Sequence, residues 1–195
     1  MKKWWLLLLT MGVGPACQMF CNTTSCGCGG PPKAGFYDIE GVSLVALNGS
    51  GGSGTVLTTG NTVPLALLKL RLAPVTRYFT SRTPHPGGAG VAWACSPADP
   101  EFVEQLDSVL VRSRYAYDAR HPAGTSLNDL LLAGDYSGNL LPDYLRLRAG
   151  TPDESLILRL STAPAAAGPQ QLVVRYRLRN GEVYTAETPV FNIQP

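Results

Sequence analysis

Two histidines occur in the chain, His85 and His121, and each stands directly before a proline. Neither has a second histidine at helical or strand spacing, so the two-histidine ligand patterns of zinc enzymes are absent. His121 lies between Asp118 and Ser126, with Asp129 close behind. A nucleophile, base and orienting carboxylate can be drawn from Ser126, His121 and Asp129. The segment lacks the strand-to-helix elbow that exposes a reactive serine, and Ser126 is accounted for as a helix cap. Glu101 with Glu104, and Asp153 with Glu154, are local pairs at loops or helix starts. Acids there favour the N-terminal dipole, whereas glycoside hydrolysis needs two carboxylates facing each other across a cleft. No catalytic residue, metal site or cofactor is therefore assigned. A secreted or periplasmic hydrolase of glycans or peptides, using acids and His121, is the alternative reading.

Arginines form the more regular pattern. Arg175, Arg177 and Arg179 alternate with Leu172, Val174, Tyr176 and Leu178. Arg112 with Arg114, and Arg146 with Arg148, have the same two-residue spacing. If those strands are neighbours, one sheet carries a basic face suited to an anionic glycan or lipid head group. If they are not, the rows are ordinary solvent-facing surface, with acids such as Glu182 and Glu187 opposite. The formal net charge is +2, from 16 basic and 14 acidic residues. Without Lys2 and Lys3 the balance is zero, which leaves no long-range field to draw in nucleic acid.

Those two lysines open a targeting segment. Residues 4–13 are an apolar run too short to span a bilayer, as expected of a secretory signal peptide. Gly14, Pro15 and Ala16 then precede Cys17. Small residues before a cysteine, directly after such a run, resemble the lipobox of bacterial lipoproteins. The match departs from the usual motif at Gly14, where a leucine is common, and at Pro15. An ordinary signal peptide, with Cys17 unmodified, is the competing reading. The resemblance implies cleavage before Cys17 and acylation there, giving a membrane anchor of several acyl chains, palmitate among them. It places the protein in the cell envelope, at the outer membrane. No acid follows Cys17 directly, which favours the periplasmic side.

With Cys17 acylated, Cys21, Cys26, Cys28 and Cys95 remain, an even number suited to an oxidising compartment. Cys26 and Cys28 are too close to bridge each other comfortably. A bridge from either to Cys95 would pin the tail to the body. A metal knuckle is the competing use of this cysteine pair, although no histidine lies nearby.

The elements follow from periodicity. Residues 1–16 read as signal peptide and 17–35 as a Cys/Gly/Pro-rich tether. Residues 36–195 read as one domain in which the dominant period is two. Strands are expected over 36–48, 64–72, 78–82, 90–95, 107–117, 144–148, 155–161, 172–178 and 182–186. A hairpin is expected at Asn180-Gly181, with positive φ at both turn residues. Pro189 is expected to confine the last strand, 190–193, to an edge or bulge. Ser126 and Asp129 resemble a capping box, predicting one short helix over 127–133, and 100–106 reads as one helical turn or a loop. Short strands separated by turn signals predict an all-β antiparallel sandwich of immunoglobulin-like architecture.

The run from Asp118 through His121 to Asp129, the segment 94–97 with Cys95, and the terminal Arg179-Asn180-Gly181 hairpin together resemble a lipoprotein family of Bacteroidota. The resemblance covers about residues 26–194. It implies an envelope location and a β-rich domain, and it carries no known activity. The function expected is a lipid-anchored, non-enzymatic binding or structural module. Its partners would be the membrane, through the anchor, and an envelope protein or polysaccharide.

Overall fold

In a computed structural model, the structure describes residues 35–49, 54–79, 100–134 and 138–195. All five cysteines fall outside these, as do the signal segment and most of the tether. Nearly all described residues belong to one compact unit, Tyr37–Phe79 with Phe102–Pro195.

The unit is all-β with one α-helix, in a sandwich-like arrangement of three sheets. The first sheet uses β1 (Phe36–Asn48), β2 (Thr55–Val56), β4 (Leu68–Phe79), β7 (Leu131–Ala133), β8 (Asn139–Leu140) and β9 (Leu156–Leu160). Its order is β2-β1-β4-β9-β7-β8, with β5 (Glu101–Phe102) also on β1. The second is β10 (Gly168–Gln170), β13 (Phe191–Gln194) and β3 (Thr62–Pro64). The third is β12 (Val183–Glu187), β11 (Leu172–Leu178) and β6 (Leu106–Ser113). The β1–β2, β4–β9, β7–β8, β7–β9, β10–β13, β11–β12 and β6–β11 pairs are antiparallel. β13 runs parallel to β3, segments too distant in sequence to be constrained by a hairpin. β5 runs along β1 in the same sense, Glu101 N–H bonding to the Gly35 carbonyl and Val103 N–H to that of Tyr37.

Alternation builds the core. Leu70, Leu72, Leu156, Leu158 and Leu160 point inward from the first sheet, and Val109, Val111, Leu172, Val174, Tyr176 and Leu178 from the third. Leu72 and Leu156 of the first sheet and Leu106, Val109 and Tyr176 of the third border one small gap between the layers. Each such buried side chain contributes about 1.5–3 kcal/mol, so these inward rows outweigh any single polar contact.

Several expectations need correction. Residues 127–133 are not helical: Leu130 N–H donates to the Leu127 carbonyl in a tight turn, and β7 follows. Burying Leu131 and Ala133 against β9 is a period-two demand that overrides the cap-like box. The helix is instead α1 (Leu141–Leu147), where a strand was expected; Pro142 sits in its first turn and Leu141 is buried. Leu147, at the end of this helix, is 71% exposed. The segment 100–106 holds β5 and a bend rather than a helical turn.

In the hairpin only Gly181 has positive φ, +97°. Gly181 N–H donates to the Leu178 carbonyl and Leu178 N–H to that of Glu182, a three-residue loop ending in a left-handed glycine. The last strand is central in its sheet, between β10 and β3, because Pro189 lies before it and costs it no ladder bond.

Candidate functional site

The segment 113–130 brings three of the candidate catalytic residues together, but not around an opening. His121 is 6% exposed. Its Nδ1 lies 2.8 Å from Asp118 Oδ1, and its Nε2 lies 3.0 and 3.2 Å from the two Asp129 oxygens. With carboxylates at both nitrogens, the ring is best satisfied as an imidazolium donating from each side. Asp129, then Asp118, hold its pKa above the ordinary 6.5. Burial pushes the Asp118 carboxyl up. The bonds from His121 and from the N–H groups of Arg120 and His121 outweigh this and leave it below its ordinary value. Ser126 Oγ accepts the N–H of Asn128 and makes no bond to the ring. A base needs a free nitrogen facing its nucleophile, and His121 has neither. Asp118 and Asp129 flank opposite ring nitrogens, so they do not converge on a shared ion. Among the described residues, no group of three His, Cys, Asp or Glu side chains is placed to hold a metal.

The same segment closes one edge of the third sheet. Asn128 Nδ2 donates to the Val109 carbonyl at 2.7 Å, and its Oδ1 accepts Val111 N–H at 2.9 Å. Leu127 N–H donates to the Val111 carbonyl, and Gly124 N–H to that of Ser113. One side-chain amide therefore does for β6 what a neighbouring strand's peptide would do.

The arginines lie on the other face of this sheet. Strand register sets Arg175 opposite Leu110 and Arg112 opposite Val173, with Arg177 opposite Ser108. Arg112 and Arg175 are diagonal neighbours, about 7–8 Å apart at the backbone. Both are exposed, and neither has a side-chain partner among the described residues. Arg177 is 3.6 Å from Asp107. Arg114 is paired with Glu187, its Nη2 2.7 Å from Oε2.

Arg179 lies beyond the strand end. Its Nη1 donates to Gln105 Oε1 at 2.6 Å and its Nη2 to the Ala149 carbonyl at 3.3 Å. Arg146 and Arg148 are not on a strand: one is in α1 and the other is its C-cap. These three arginines, with Asp107 and Thr151, line a depression of about 340 Å³. Its wall turns at Ala149 (φ +52°) and Gly150 (φ +89°). A Cβ on Gly150 would lie 2.8 Å from Arg179 Nη2 and 2.9 Å from the Leu106 carbonyl, so only glycine lets the guanidinium lie there. Asp143 and Asp153 bind Arg146 and Arg148 from outside the depression.

Sequence reasoning found the arginines. It missed that helix α1, and not a third strand, carries Arg146 and Arg148 to the end of the sheet. Pro142 followed by Asp143 was the available signal for that helix. Comparison with family models, with curated proteins and with solved structures finds no match for this chain.

Proposed function

We propose that the protein is a lipid-anchored, non-enzymatic module of the bacterial cell envelope. It engages an anionic partner, an envelope protein or a polysaccharide, through the arginine-bearing face of the third sheet and the depression at its end. The observation that carries the binding half is the pair Arg112 and Arg175, exposed and unpartnered in a mature chain whose net charge is zero. Salt-bridged arginines would indicate only a solvated surface; unpartnered ones keep their donors for a ligand. The anchoring half is supported by the residues up to Cys17 and by the lipoprotein family that the body resembles. The hydrolase alternative draws no support from His121, both of whose nitrogens are occupied.

The test is retention on a sulfated polysaccharide matrix at low salt, where exposed charges are least screened. Arg112→Ser with Arg175→Ser should elute early while unfolding at the parent temperature. Unchanged elution would reduce the face to ordinary surface. Mass spectrometry of the mature N-terminus tests the anchor, and an unmodified terminus would refute it.

A further inference from the structure

The two edges of the third sheet are finished differently. Register fixes which backbone groups of β12 point where. Leu178 N–H bonds to the Glu182 carbonyl and Thr188 N–H to that of Leu172, so residues 182, 184, 186 and 188 face β11. Val183, Thr185 and Glu187 therefore direct their N–H and C=O groups away from the sheet. None of these groups meets a partner among the described residues, and all three residues are exposed. Five residues of strand edge are left unfilled.

The side chains beside that edge select what would fill it. On the outer face, Thr185 stands opposite Arg175 and Val183 opposite Arg177. Both are short, so the long guanidinium stems of β11 can reach over them to the next strand position, one strand spacing beyond. At the far end Glu187 would repel an acidic arrival, but Arg114 holds its carboxylate. A strand added here would set every second side chain on the arginine face.

From this we propose that β12 is a strand-addition site for an extended acidic peptide segment of a partner protein. Its backbone would bond to Val183, Thr185 and Glu187, and its alternate carboxylates would meet the unpartnered Arg175 and, in competition with Asp107 3.6 Å away, Arg177. The proposal rests on the anionic-partner reading above and narrows it to protein over polysaccharide. Main-chain bonding supplies affinity in such a mode, and the alternate side chains supply selectivity.

The probe is a blocked nonapeptide alternating valine and glutamate, titrated onto the soluble protein at low salt. Its control is the same peptide N-methylated at alternate residues, which cannot pair. The expected result is binding of the first peptide only, with slowed hydrogen exchange at Val183, Thr185 and Glu187. Thr185→Pro removes an outward N–H that the β11 ladder does not use, a place where a strand tolerates proline. It should weaken binding about tenfold, the worth of one or two lost hydrogen bonds. Arg175→Gln with Arg177→Gln should weaken it comparably and flatten its salt dependence. The exchange measurement on the parent protein stands even if Thr185→Pro folds poorly. Absence of peptide binding, equal binding of the N-methylated control, or unchanged exchange at β12 would overturn strand addition. If a sulfated polysaccharide still binds in those cases and Arg112→Ser with Arg175→Ser abolishes it, the anionic-partner reading survives alone. If arginine replacement changes binding to neither probe, both readings fall.

Discussion

The β6 and β12 edges belong to one three-stranded sheet, yet one is closed and the other open. At β6, Asn128 and the backbone of Gly124 and Leu127 take up the free groups of Val109, Val111 and Ser113. At β12, Val183, Thr185 and Glu187 keep theirs. Unpaired edges invite pairing with other chains, and proteins commonly blunt them with lysine, proline or a covering loop. This chain covers one edge with a loop and leaves the other without lysine or proline inside the strand. The open edge also lies beside the unpartnered Arg175, whereas the closed edge lies toward the buried His121. Closure serves stability on one side of the sheet, and openness leaves pairing capacity on the other.

The largest effect should come from Asn128→Ala. It strands the Val111 N–H and the Val109 carbonyl in a sheet edge that water reaches poorly, at about 2–3 kcal/mol. A denaturant titration should show a lower midpoint with unchanged slope, and the Val111 amide should exchange faster. An unchanged midpoint would mean that the loop backbone alone closes β6.

Ser113→Ala sharpens the comparison at the same edge. Ser113 Oγ donates to Gln170 Oε1 at 2.6 Å, a buried bond between the third and second sheets. Losing it should cost about 1–2 kcal/mol, since Gln170 keeps only the long bond from its Nε2 to the Ala116 carbonyl. A loss well below that would show that water replaces the serine.

The closed side should also respond to pH. His121 is held above 6.5 in the folded protein, so its contribution is complete below pH 6.5 and is lost as pH rises through the folded value. Asp118 is held below 3.8, so its contribution is complete above pH 3.8 and is lost as pH falls through the folded value. The cluster therefore favours the fold most between these limits. His121→Gln should flatten the decline on the alkaline side, read as melting temperature against pH. A decline of the same slope in the variant would assign it to other groups.

Arg114→Ser should do least. Its ion pair with Glu187 is exposed on both sides and is worth about 0.5 kcal/mol or less. A larger loss, measured by thermal melting, would mean that the β12 edge is structurally braced and not merely open.

The arginine sheet was legible because its signal is local. Four inward residues alternate along β11, and the hairpin to β12 is marked by Asn180-Gly181. The turn's own geometry was not, because a loop one residue longer moves the left-handed position onto Gly181 alone. Residues 144–148 alternate leucine with arginine and mimic a strand, although Leu147 lies in solvent. Ser126 and Asp129 mimic a helix start because short polar side chains serve tight turns as readily as caps. The role of Asn128 is invisible in the sequence, since it exists only once β6 is alongside. His121 and its two aspartates were visible as neighbours, but neighbourhood does not reveal that both ring nitrogens are taken.

Asn128 has one more consequence, for the order of assembly. The residues it joins lie only 17 and 19 positions away, whereas β6 and β11 pair across roughly sixty to seventy. Short loops close first because they lose less chain entropy. During folding β6 would therefore have one side occupied while its true neighbour is still unstructured. Asn128 would act as a temporary doorstop, leaving a newly made strand a single direction in which to recruit, and mutations there should slow folding as much as they weaken the fold.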